Sequence, residues 1–320
     1  MTAFAMRPAA DTRPAMGLRQ RHAATPHHEE TPLMDPIQTF DLHGQPALQL
    51  ATASGARAVL TLFGGQLVSW CPAGGSEWLF LSERACFDGS RAIRGGVPVC
   101  WPQFAAQGRL PRHGLVRTRP WAVAERRSGD DFALATLRIE DDDASRALWP
   151  FAFALELTVL IEGERLSIEL EASNTGHGAF AFTTALHTYL RVGEVEQTRL
   201  EGLARHHYRD NAQSGERRVD SGDHVRIDAP TDRIYSKVDG PLLLRDGGRS
   251  LAIQCDGFGD VVVWNPWQQA AAELPDMAPD EFRRMLCVEA AVASRARELA
   301  AGEQWFGRQT LVDLSRGLRA

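Results

Sequence analysis

The sequence predicts an all-β protein: one large antiparallel domain, folded as a sandwich or a barrel. Three observations carry this. From Ile37 onward, short apolar runs recur between glycine-bearing breaks, the spacing of strands and turns. Residues 151–174 alternate apolar and polar side chains at period two around the turn Glu162-Gly163-Glu164-Arg165, a pattern that a helix would scatter around its circumference. No strand–helix alternation and no repeat of fixed period runs through the 320 residues, which leaves a parallel α/β sheet without support.

Residues 1–33 are rich in Ala, Pro, Arg and His, hold no sustained hydrophobic period and lack the apolar core of a secretory signal. They read as a disordered extension ahead of a domain spanning 34–320. His22, His27, His28 and Glu29 then read as tail residues rather than metal ligands. Strands are expected at 48–52 and 58–63, then at 67–70 and 78–81 after Gly-Gly breaks. The hairpin at 151–174 places Phe151, Phe153, Leu155, Leu157, Val159 and Ile161 on one face, with Leu166, Ile168, Leu170 and Ala172 on the return. The acidic run Glu140-Asp141-Asp142-Asp143 before it reads as a solvated loop. Further strands are expected at 179–191, 224–229, 241–245, 251–255, 261–264, 284–290 and 303–314, with one short helix at 268–274.

Composition bounds the function. Hydrophobic residues at 44% and charged residues at 24% are ordinary globular values. A net charge of −6 offers no domain-scale basic surface for nucleic acid, although a few local arginines could still hold a phosphorylated small molecule. The five cysteines are scattered, odd in number and without a CxxC pair, which predicts reduced thiols in a cytoplasmic protein. No apolar run nears the roughly 18 residues of a membrane span. A monomer without nucleic-acid or membrane partners is expected.

The most unusual stretch is 92–121, with four glycines, four prolines, five arginines, His113 and two tryptophans. Such a segment suits neither helix nor continuous strand and reads as a stiff loop that presents Arg94, His113 and Arg117. Common catalytic signatures are missing: there is no GxxxxGK[ST] phosphate loop, no HExxH and no GxSxG. What remains is acid–base chemistry. His187 would share one strand face with Tyr189 and Arg191, opposite Phe180, Phe182, Thr184 and Leu186. Glu289 follows a run that looks buried, where an ionised carboxylate needs a hydrogen bond or a polar pocket; it reads equally as a strand-end glutamate in solvent. Asp232 reads as a turn residue after a strand. The corner Trp264-Asn265-Pro266-Trp267 reads either as a stacking platform for a sugar ring or as a packed bend.

Together, six segments resemble the glucose-6-phosphate 1-epimerases, the hexose-6-phosphate mutarotases of the aldose 1-epimerase superfamily. They are IRGGVPVCWPQF, LPRHGLVRTRPW, LHTYLRV, TDRIY, VVVWNPW and MLCVEA, in that order along the chain. The resemblance implies a galactose mutarotase-like β-sandwich, or supersandwich, with a groove on one sheet. It also implies interconversion of the α and β anomers of glucose 6-phosphate with no metal or organic cofactor. By the same resemblance His187 is the general acid and Glu289 the general base. His113 and Asp232 are supporting sugar ligands, and Arg94 and Arg117 bind the substrate and its phosphate. Arg91, Arg112 and Arg119 are alternative phosphate partners that the motifs do not select. Two other functions compete: a mutarotase for unphosphorylated aldoses, which the arginines speak against, and a non-catalytic sugar-phosphate-binding protein, which would not require both His187 and Glu289. A glycosidase would want a second, suitably spaced carboxylate.

Overall fold

A computed structural model describes residues 35–315, which fall within one compact unit, Asp35–Ala320. The extension expected at 1–33 lies outside the described residues. Among these residues the strands form a four-stranded, an eight-stranded and a nine-stranded sheet, all built from antiparallel ladders. The main core lies where the inward faces of these sheets meet. Leu186, Val261, Val263, Val288 and Ala290 come from the eight-stranded sheet, Leu157, Ile168, Ile253 and Leu311 from the nine-stranded one, and Leu48, Leu60 and Trp70 from the third. The antiparallel sandwich is the predicted fold.

The hairpin forms as its period requires. Phe153–Glu162 pairs with Arg165–Asn174 from Phe153 opposite Asn174 to Glu162 opposite Arg165, leaving Gly163-Glu164 as a two-residue turn. Its inward residues from Phe153 to Ala172 join the core. One buried polar residue stitches the two large sheets: Gln309 accepts from the Thr188 hydroxyl and donates to the Val288 carbonyl.

Several local expectations need correction. Ala122–Ser128 and Phe132–Glu140 are strands the sequence did not announce. The strand expected at 284–290 continues to Leu299, because its second half is a solvent-facing SRARE run still held in the ladder. The acidic run is not a plain solvated loop. Asp142 caps the helix Asp143–Leu148 reciprocally with Ser145, and each carboxylate of the run pairs with Arg138, Arg119 or Arg146. The short helix predicted at 268–274 is Trp267–Glu273. No helix among the described residues is long and apolar enough to cross a membrane.

Candidate active site

The site lies on the outer face of the eight-stranded sheet. Successive strand residues point to opposite faces, so Met285–Leu299 sends Leu286, Val288 and Ala290 into the main core and Cys287, Glu289 and Ala291 the other way. Asp260–Asn265 does the same with Val262 and Trp264, and Thr231–Ser236 with Asp232 and Ile234. Register then aligns Ile234, Val262 and Glu289 in one row across the sheet, and Asp232, Trp264, Cys287 and Tyr189 in the next. Asp232 is therefore a strand residue, not a turn residue as expected, and Glu289 sits inside its strand.

His187 arrives from the neighbouring edge. Phe180–Leu186 and Tyr189–Arg191 both pair with Met285–Leu299, Leu186 opposite Ala290 and Tyr189 opposite Cys287. Between them the chain leaves the ladder at His187-Thr188, so the continuous strand expected at 179–191 is broken there. The break sets the imidazole beside the carboxyl, with His187 Nε2 3.4 Å from Glu289 Oε1. The His187 amide donates to the Pro98 carbonyl at 3.0 Å, tying the break to the irregular stretch 92–121. Tyr189 stacks on the His187 ring at 4.8 Å. Arg191 instead reaches the Leu79 carbonyl and does not line the site.

A cavity of about 520 Å³ opens over these rows, and Arg94, His113, Arg117, His187, Asp232 and Glu289 all line it. His187 is 7% exposed and Glu289 1%, so water solvates neither charge. Burial pushes the Glu289 carboxyl well above its usual range, with Asp232 acting the same way and Arg112 opposing. Burial pushes His187 well below the imidazole range, reinforced by Arg117 and Arg94. Burial thus favours the neutral form of each group. His187 Nδ1 and Glu289 Oε2 are buried and take no hydrogen bond among the described residues.

The stretch 92–121 supplies the wall. His113 adopts φ of 66° and is followed by Gly114 at 79°, where an added Cβ would meet the Trp101 carbonyl oxygen at 1.9 Å, so only glycine fits. That turn buries the His113 ring with Nδ1 3.3 Å from the Ala105 amide and 3.1 Å from Cys100 Sγ. A nitrogen that accepts a backbone N–H carries no proton, so Nε2–H is the donor toward the cavity. Arg112 Nε, 3.4 Å from that nitrogen, then makes a contact between two donors rather than a hydrogen bond. Burial, then the neighbouring His187, Arg117 and Arg112, keeps His113 neutral.

The arginines differ. Arg94 grips Asp276 through Nε and Nη2 at 3.2 and 3.3 Å and donates from Nη1 to the Tyr189 hydroxyl at 2.9 Å. Its charge is thus matched, and it braces the ring that stacks on His187. Arg117 donates to the Arg112 carbonyl at 2.9 Å, and neither Arg112 nor Arg117 has an ion-pair partner among the described residues. Arg119, by contrast, is engaged by Asp142 and stands away from the cavity. Asp232 accepts from Asn211 Nδ2 at 2.9 Å, and burial raises its carboxyl. Of the aromatic corner, Trp264 lines the cavity, while Trp267 packs on Phe282 and starts the helix. Asp276 and Asn211 carried no sequence signal, since one acts from a loop and the other from the short 3-10 helix Asn211–Gln213, neither with a fixed spacing to its partner.

The fold is that of the sugar mutarotases. Residues 46–311 match the family model described as aldose 1-epimerase, and the chain belongs to that family; it is an isomerase. It is 34% identical over 279 residues, 82% of this chain and 84% of the other, to a Cenchrus ciliaris protein provisionally named glucose-6-phosphate 1-epimerase. A protein of the same provisional name from Escherichia coli K12 is 34% identical over 247 residues, covering 76% and 82% of the two chains. The crystal structure of YeaD from Salmonella typhimurium, provisionally described as a mutarotase, superposes with a TM-score of 0.81 at 29% identity, covering 88% of this chain and 95% of that one.

Proposed function

We propose that this cavity interconverts the α and β anomers of a hexose 6-phosphate, with glucose 6-phosphate as the substrate. The observation that carries the reading is the buried His187–Glu289 pair, 3.4 Å apart, in a cavity that also holds arginines without carboxylate partners among the described residues. Anomer exchange needs one proton removed from the anomeric hydroxyl and one delivered to the ring oxygen, two oxygens on the same carbon. Moving one proton from Glu289 to His187 turns a neutral pair into carboxylate and imidazolium, with no change in total protons. Glu289 then takes the hydroxyl proton, the bond from the anomeric carbon to the ring oxygen breaks, and His187 protonates that oxygen. The open aldehyde rotates about its bond to the next carbon, and the reversed transfers close the other anomer. Acid and base assistance are each worth roughly 10²–10⁴-fold.

His113 Nε2–H and Asp232 suit sugar hydroxyls as donor and acceptor, and Trp264 offers an apolar face. Arg117 with Arg112 suits the phosphate dianion, because guanidinium forks match phosphate oxygens. Arg94 belongs to the same wall, but its charge is already matched by Asp276. One chain supplies every residue of the site, so the reading needs no second copy. Five free cysteines agree with a reducing, cytoplasmic compartment.

Anomer-exchange NMR on glucose 6-phosphate and on glucose tests the proposal. The wild type should accelerate exchange of the phosphorylated sugar preferentially, and His187→Ala and Glu289→Gln should each slow it by ~10²–10⁴-fold. A folded wild type that accelerated neither sugar would sink the reading; equal action on both would remove the phosphate assignment.

A further inference from the structure

One nitrogen of His187, one oxygen of Glu289 and the Cys287 sulfur lie within 4.8 Å of one another, a grouping that the proton-transfer chemistry does not explain. Cys287 takes no part in that chemistry. It stands two residues before Glu289 on the same strand face, opposite Tyr189, fully buried, and does not itself line the cavity. We propose that these three side chains form a binding site for a thiophilic divalent cation, Zn²⁺ above all, and that its occupation inhibits the enzyme.

The geometry is close to what such an ion requires. Tetrahedral zinc with bonds of ~2.0–2.1 Å to nitrogen and oxygen spaces those two ligands ~3.3–3.5 Å apart. His187 Nε2 and Glu289 Oε1 are already 3.4 Å apart. A Zn–S bond of ~2.3 Å asks for sulfur ~3.6 Å from each of them, and the Cys287 sulfur lies within 4.8 Å of both. Both first ligands are more than nine-tenths buried, His187 at 7% and Glu289 at 1% exposure. Carboxylate and thiolate together balance a divalent charge, and the nearby Arg94 is already neutralised by Asp276. The fourth vertex would face the cavity and take water or a sugar oxygen. The donor set, one nitrogen, one sulfur and one oxygen, suits zinc or cobalt and discriminates against magnesium and calcium, which want oxygen alone.

Inhibition follows from the ligands themselves. An imidazole and a carboxylate bound to metal cannot exchange protons with substrate, so a rise in zinc would stop the reaction without any change in fold. This consequence rests on His187 and Glu289 being the proton-transfer pair; the binding site does not.

Cobalt serves as the probe. Co²⁺ added to the full-length protein should bind one ion per chain with tetrahedral visible bands and a sulfur-to-cobalt charge-transfer band in the near ultraviolet. Cys287→Ser should lose that sulfur band and weaken Co²⁺ and Zn²⁺ binding by at least ~10-fold, as should His187→Ala, with native circular dichroism. Cys287→Ala, which restores the apolar packing, guards against a serine variant that fails to fold. Zn²⁺ should lower the exchange rate of the wild type and Mg²⁺ should not. For each variant, zinc sensitivity is read against its own metal-free rate. A sulfur band that survives in both Cys287 variants, or Co²⁺ binding indifferent to His187→Ala, would overturn the site. Metal binding with the stated spectrum in a protein that never accelerates anomer exchange would instead sink the catalytic reading and leave the site standing.

Discussion

At the scale of single residues, the decisive feature is a carboxyl buried beside an imidazole. Burial disfavours each charged form separately, raising the Glu289 carboxyl and lowering the His187 imidazole. These shifts have a stability signature. In the unfolded chain Glu289 loses its proton near the ordinary value of 4.5, whereas in the folded chain it keeps it to well above that. Between those two values the folded protein binds more protons than the unfolded one, so this residue's contribution to stability falls as pH rises. Glu289→Gln removes the dependence. The variant should therefore be more resistant to urea than wild type at pH ~7.5, with the advantage shrinking as pH is lowered toward the ordinary glutamate value. His187 has the opposite sign: its depressed value makes the folded protein lose stability as pH falls below the ordinary histidine value of 6.5. Urea titrations of wild type and Glu289→Gln across that range check both directions. An advantage that grew on acidification would mean Glu289 is held ionised.

At the scale of elements, the face that carries the candidate site depends on segments that have little regular structure. The Glu281 carboxylate accepts from the Ser82 hydroxyl at 2.7 Å and from the amides of Glu83 and Ala278 at 2.8 and 2.7 Å. It thereby fastens the loop that carries Asp276 to the segment whose Ser82 amide donates to the Arg94 carbonyl. Hydrogen bonds to a charged group are worth ~1.5–3 kcal/mol each, and Glu281 is buried, so Glu281→Ala should destabilise the protein by about 3 kcal/mol or more in urea denaturation. It should also slow exchange in the folded fraction, because Arg94 and Tyr189 lose their brace. Little of this was readable in advance. The hairpin at 151–174 was legible because both of its strands bury one face completely. Ala122–Ser128 was not, because it is mostly exposed and shows no period. Glu289 could be read as a buried carboxylate and His187 as a strand histidine, yet their juxtaposition depends on register between strands a hundred residues apart and on a ladder break at His187. The family resemblance named the pair; only register explains why they touch.

At the scale of the whole molecule, a chain with net charge −6 gathers Arg94, Arg112 and Arg117 around one cavity, so attraction for an anionic substrate has to be local. Arg112 is exposed and Arg117 partly so, which leaves their charges open to screening by salt. The Debye length falls from ~30 Å at 0.01 M to ~3 Å at 1 M ionic strength. If these two arginines hold the phosphate, KM for glucose 6-phosphate should rise roughly tenfold over that range, the size of one charge-assisted hydrogen bond lost, while KM for glucose stays flat. Arg117→Ala should begin from a higher KM at low salt and respond less to added salt, because part of the attraction is already gone. Arg94→Ala should act differently: Asp276 loses its partner and Tyr189 its brace, so kcat falls more than the salt response changes. Exchange rates measured by NMR for the three proteins across an ionic-strength series separate these cases. A wild-type KM for the phosphorylated sugar that ignored salt would take the phosphate off the arginines and return the cavity to unphosphorylated aldoses.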